Sequence, residues 1–124
     1  MTFEDHPALR KLVDAQEGLT RLSLMIDGHN IANGKDPEAM LWGRVAKVAE
    51  EGGEAVTALI GITNQNPRKG TYSSFSELDK ELLDVAVTAL GAIEHIHGNP
   101  VNGSSIYMLL DFIITVKERL ENES

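Results

Sequence analysis

Apolar positions recur with a helical period along most of this chain, and nowhere do apolar and polar residues alternate between turn signals as a strand requires. In the segment after Pro37, Leu41, Trp42, Val45, Val48, Ala49, Val56, Leu59 and Ile60 fall within one arc of a helical wheel. After Ser74, a wider arc collects Leu78, Leu82, Val85, Ala86, Ala89, Leu90 and Ile93. Prolines at 7, 37, 67 and 100 punctuate these segments, and helix interiors reject proline. The pattern predicts a first helix from Pro7 to the region of Met25 to Asp27, then a polar loop from Gly28 to Gly34. Asp36-Pro37-Glu38 opens a second helix running to about Ile62: Asp caps, Pro fits the first turn, and Glu suits the positive end of the dipole. Ser74-Phe75-Ser76-Glu77 reads as a capping box opening a third helix that reaches about His95. Gly98-Asn99-Pro100 ends it, and a fourth helix follows from about Ser104 to Leu120. The expected fold is an all-α, four-helix bundle.

Length and composition sharpen that picture. At 124 residues the chain is expected to form a single domain over 1–124. Hydrophobic residues make up 42% and aromatics only 5%, a composition that suits packed helices. There is no cysteine, which excludes disulfides and thiolate metal sites. The N-terminus lacks the basic and apolar regions of a secretory signal. The run from Ile106 to Val116 is interrupted by Asp111 and too short to span a bilayer. A cytoplasmic protein is the expectation, without a membrane partner. The balance of 11 basic to 19 acidic residues, −8 in all, argues against a nucleic-acid partner. It leaves room for phosphate chemistry mediated by metal ions, with carboxylates as ligands.

The acidic residues are not scattered. Glu50, Glu51 and Glu54 lie together opposite the apolar arc of the second helix, and Glu81 and Asp84 lie together outside the arc of the third. A solvated acidic face is one reading. Three features favour a metal site. Glu50–Glu54 and Glu77–Glu81 are like-charge pairs one turn apart, which destabilise an isolated helix by a few tenths of a kcal/mol, and Lys47 and Lys80 relieve them only in part. Gly52 and Gly53 sit among the glutamates, costing roughly 1 kcal/mol each against alanine, as if a neighbour approached the backbone there. The third helix is apolar over most of its circumference, so its few polar positions should line a cleft.

The segments AEEGGEAV (49–56) and KELLDVAV (80–87) resemble the two halves of the MazG-like nucleotide pyrophosphohydrolase motif, in the all-α NTP pyrophosphatase superfamily. Its pattern is Glu-x-x-Glu followed by Glu-x-x-Asp on the next helix, and the likeness covers about residues 38–95. The resemblance implies a Mg²⁺-dependent hydrolase, with Mn²⁺ as a substitute, that converts a nucleoside triphosphate into monophosphate and pyrophosphate. It also implies a homodimer or homotetramer. By position, Glu51, Glu54, Glu81 and Asp84 would be metal ligands, and Glu50 or Glu54 would orient the attacking water. The stretch from Asp111 to Arg119 lacks the asparagine that many relatives carry ahead of an arginine.

Other residues are candidates for the substrate. Arg68 and Lys69 are placed to meet the outer phosphates, with Lys47 nearer the metals; Trp42 could stack on a base or belong to the core. His95 and His97 are two apart, poor metal spacing, and read as helix-end residues. His29 reads as a loop residue, and Asp111 either bonds Tyr107 or meets a second subunit. Three further readings stay open: a phosphoribosyl-ATP pyrophosphohydrolase-like enzyme, a dUTP- or dCTP-preferring enzyme, and a non-enzymatic helical dimerisation module with a solvated acidic face.

Overall fold

The computed structural model describes residues 6–63, 71 and 73–123. Among them are four helices and no strand: α1 (Pro7–Ala32), α2 (Pro37–Thr63), α3 (Phe75–Ile96) and α4 (Ser105–Glu123). The chain is all-α, and no described helix is long and apolar enough to cross a membrane. The start signals act as their chemistry dictates. Asp36 Oδ1 accepts the Ala39 N–H at 2.8 Å. Ser74 Oγ accepts the Glu77 N–H at 3.2 Å, while the Ser73 hydroxyl donates to the Glu77 carboxylate at 2.9 Å. After α3, Gly98 and Asn99 both turn left-handed, with φ of 77° and 52°, and the Asn99 N–H bonds back to the Glu94 carbonyl at 2.7 Å.

Helix α3 is the hub, packing on all three other helices and most extensively on α2. Small residues occupy buried positions on both of these helices: Ala55, Ala58 and Gly61 on α2, Gly91 and Ala92 on α3. Short side chains let two helix axes approach closely. At Gly91 a Cβ would stand 3.2 Å from the Arg44 guanidinium.

Three expectations need correction. Helix α1 does not stop at Asp27; it continues through Gly28 and His29 to Ala32. A single interior glycine costs a helix only about 1 kcal/mol, and Asp27, buried and bonded, holds this turn in place. The apolar arc of α2 is not the core-facing stripe. Trp42 is 70% exposed, and Leu41, Val45, Val56 and Leu59 are exposed with it. The seam that faces inward carries Met40, Arg44, Ala55 and Ala58. Gly52 and Gly53 admit no close neighbour, since a Cβ at either would meet open space.

The interior is unusually polar. Helix α1 buries Gln16, Thr20, Ser23 and Asp27 at helical spacing. Ser23 meets the Arg44 guanidinium at 2.8 Å, and Arg44 also reaches Asp27 at 3.1 Å and the Gly91 carbonyl at 2.6 Å. The Glu94 carboxylate, fully buried, accepts from Gln16, Thr20 and the Ser104 and Ser105 N–H groups. It thereby caps α4 from another helix, and Gln16 adds a bond to the Ile106 N–H at 2.8 Å. Free N–H groups at a helix start carry partial positive charge, so a carboxylate there is favoured.

Candidate metal centre

Glu51 follows Arg44 by seven residues and precedes Ala55 by four, so it falls on the inward seam of α2 and not on an outer acidic face. Its side chain is 14% exposed. On α3, Glu81 and Asp84 are one turn apart and half-buried. Ligand oxygens from Glu51, Glu81 and Asp84 all lie within 4.8 Å of one another. Two helices thus bring three carboxylates to one point.

The surroundings only partly balance this charge. Lys47 stands 3.7 Å from Glu51 but bonds Glu50 more closely, at 3.0 Å. Lys80 reaches Asp84 at 3.1 Å. The hydrogen bond to Glu50 and the neighbouring glutamates raise the Lys47 pKa, and the bond to Asp84 does the same for Lys80. Glu81 has no ion pair among the described residues, and its Oε2 is enclosed without a hydrogen-bond partner. Two full charges at this separation repel by roughly 3.5 kcal/mol at an effective dielectric near 20, and by less where water reaches Asp84.

The predicted site residues part company in the structure. Glu51, Glu81 and Asp84 converge. Glu54 is exposed and borders a pocket of about 310 Å³ with Glu77, Lys80 and Glu81. Glu50 points to solvent with Lys47. Trp42 borders neither that pocket nor the one described next. Arg68 and Lys69 lie outside the described residues. His29 is in helix α1, its ring 3.2 Å from the Asn33 side chain, and Asp111 is exposed.

A second pocket, about 350 Å³, opens where α1, α2 and α3 meet. Leu22, Ile26 and Val87 give it apolar walls, Asn30 and Thr88 add polar groups, and Lys35 and Lys47 bring positive charge. Lys47 therefore borders this pocket and stands beside Glu51 at once.

His95 is a helix-end residue, as its sequence position implies, and it also has a distant partner. It is in the last turn of α3, but its Nδ1 is 2.7 Å from Asp27, which also accepts from Asn99 at 2.8 Å. Burial pushes the Asp27 carboxyl up, yet the bonds from His95 and Asn99 and the charges of His95 and Arg44 outweigh it and leave the pKa lowered. The sequence offers little signal for this pairing, because the partners lie 68 positions apart.

The chain matches no protein-family model, no curated protein and no solved structure.

Proposed function

We propose that this chain is a Mg²⁺-dependent nucleoside triphosphate pyrophosphohydrolase of the MazG-like type, turning a (d)NTP and water into a (d)NMP and pyrophosphate. The observation that carries the reading is the convergence of Glu51, Glu81 and Asp84 with an enclosed, unbonded oxygen on Glu81. An enclosed, unbonded carboxylate oxygen in a cluster of carboxylates wants a cation, and an all-oxygen donor set suits Mg²⁺ or Mn²⁺. A solvated acidic face would leave these groups open to water, whereas the Glu51 side chain is mostly covered.

Glu51, Glu81 and Asp84 hold the metal in this reading, with Glu54 completing the set from the adjoining pocket. A bound Mg²⁺ would supply neutralisation of phosphate charge and a more acidic water for attack on phosphorus. Glu54, which shares a pocket with Glu81, is better placed than Glu50 to orient that water and take its proton. Lys47 and Lys35 meet the phosphate chain. The pocket walled by Leu22, Ile26 and Val87 takes the nucleoside, with Asn30 and Thr88 as hydrogen-bonding groups for the base or sugar.

A phosphate-release screen over the common NTPs and dNTPs with Mg²⁺, with and without a coupling pyrophosphatase, tests the activity and ranks the substrates. The expected result is phosphate only when the pyrophosphatase is present. Release of phosphate without it, or no release from any nucleotide, would contradict the proposal.

A further inference from the structure

We propose that the cavity between α1 and the connection from α3 to α4 is a ligand site for a small zwitterion, an amino acid with an apolar side chain. The cavity holds about 520 Å³, more than either pocket described above and within the roughly 300–1,000 Å³ of small-molecule sites. Helix α1 supplies one side of it at helical spacing, with Asp14, Glu17, Gly18 and Arg21 along one face and Leu24 beyond them. Asn99 and Val101 border it from the α3–α4 connection. At Gly18 an added Cβ would meet nothing within 4 Å, so the glycine leaves open the space that a side chain would occupy. A glycine inside a helix lowers its stability against alanine; here the loss leaves room for an occupant.

The rim carries both signs of charge, and neither is paired. Among the described residues, the side chains of Asp14, Glu17 and Arg21 have no ion pair and no hydrogen bond. Glu17 stands four residues before Arg21, the order that favours a pair on a helix, yet the two are not joined. Lys47 and Lys80, by contrast, each hold a carboxylate of their own helix. A ligand with one anionic and one cationic group answers both signs at once. Its carboxylate meets the Arg21 guanidinium, a pairing that can form two parallel bonds, and its ammonium lies against Asp14 and Glu17. Leu24, half-exposed, and Val101, 94% exposed, offer apolar surface to its side chain.

Other ligand classes fit these charges less well. Two carboxylates against one guanidinium repel a nucleotide or another polyanion. A metal ion would need a third close donor, and among the described residues only Glu51, Glu81 and Asp84 converge in that way. The inner wall ties the site to the fold. Thr20 Oγ1 meets the Glu94 carboxylate at 3.2 Å, and Asn99 Nδ2 donates to Asp27 at 2.8 Å. Asp27 in turn holds Arg44, which borders the second pocket. An occupant therefore rests on side chains that join α1 to α3, and Asn99 links its site to the second pocket through Asp27 and Arg44.

Titration of the nitrogen-15-labelled full chain with each common amino acid at millimolar concentration, followed by NMR, tests the site. At least one with an apolar side chain should give saturable shifts at Gly18, Arg21 and the Asn99 side-chain amide. The amine and the carboxylic acid that carry the same side chain should each bind at least about tenfold more weakly, since each lacks one charge-assisted contact. Arg21→Met should weaken binding by a similar factor. Gly18→Leu should fill the cavity and abolish binding while the melting temperature holds or rises, because leucine is the better helix former. No saturable shift at these residues with any amino acid, equal binding by the amine or the acid alone, or unchanged binding in both variants would overturn the proposal. These measurements use neither a nucleotide nor a metal ion, so their outcome is separate from that of the hydrolase reading.

Discussion

Two sets of inward carboxylates in this chain have opposite surroundings. Glu94 and Asp27 are saturated. Glu94 collects donors from α1 and the start of α4, and Asp27 collects Arg44, His95 and Asn99. Glu51, Glu81 and Asp84 instead face one another, and the Glu81 Oε2 has no donor. One chain, folding under one set of rules, satisfies its structural carboxylates and leaves the others short of positive charge. On the proposed reading, the difference separates a carboxylate that holds the fold from one arranged for a cation. Burying an anion without a partner costs several kcal/mol, so an arrangement of the second kind persists where a ligand repays it.

If that distinction is right, matched substitutions will separate the two sets. Glu81→Gln should lower kcat/KM for the best nucleotide by at least about 100-fold, as expected for loss of a metal-binding group. Its melting temperature should stay level or rise, because one of three repelling charges is gone. A drop in melting temperature with activity retained would place Glu81 with the structural set.

Glu94→Gln should do the reverse. Burial pushes this carboxyl up, but the donors of Ser105, Gln16 and Ser104 overcome it and bring the pKa down to about 2 from an ordinary 4.5. That gap corresponds to about 3 kcal/mol of stability at neutral pH, enough to lower the melting temperature by more than about 5 °C in a small domain. Chemical denaturation of the two proteins measures it.

The same linkage fixes a pH window. A carboxyl with a depressed folded-state pKa stabilises the protein above its unfolded value and stops doing so as pH falls through the folded one. The stability difference between wild type and Glu94→Gln should therefore be full above about pH 5, shrink below about 4.5 and be nearly gone at pH 2. Asp27, lowered in the same direction, adds to the acid sensitivity of the wild type. A difference that stays constant across this range would mean that Glu94 does not act through its charge.

The smallest effect is expected at Lys80, an exposed side chain paired with Asp84. Lys80→Met should leave the melting temperature unchanged and shift metal affinity by about threefold or less, since exposed ion pairs contribute little. A large loss of activity would instead assign this lysine to the substrate.

Much of this was legible in the sequence because it is local. Asp36, Ser74 and Glu77 act within one turn of their own helices, so their types and spacing suffice. The i, i+3 spacing of Glu81 and Asp84 puts them on one face whatever else the chain does. What was not legible depends on distant partners. Nothing in the residue types of Gln16, Thr20, Ser23 and Asp27 marks them as inward, and only Arg44, Glu94 and His95, brought in from other helices, make them an interior. The apolar arc of α2 misled in the complementary way. Periodicity finds a greasy face but does not say which chain covers it, and here that face lies outside. Gly28 looked like a helix end, yet the bonds of Asp27 outweigh one glycine.

Mn²⁺ titration followed by electron paramagnetic resonance, on wild type and on Glu81→Gln without nucleotide, tests the central claim most directly. The account predicts saturable Mn²⁺ binding by wild type, displaced by Mg²⁺, and loss of that binding in Glu81→Gln while the helical circular dichroism is unchanged. Equal binding by the two proteins, or none by wild type, would contradict it.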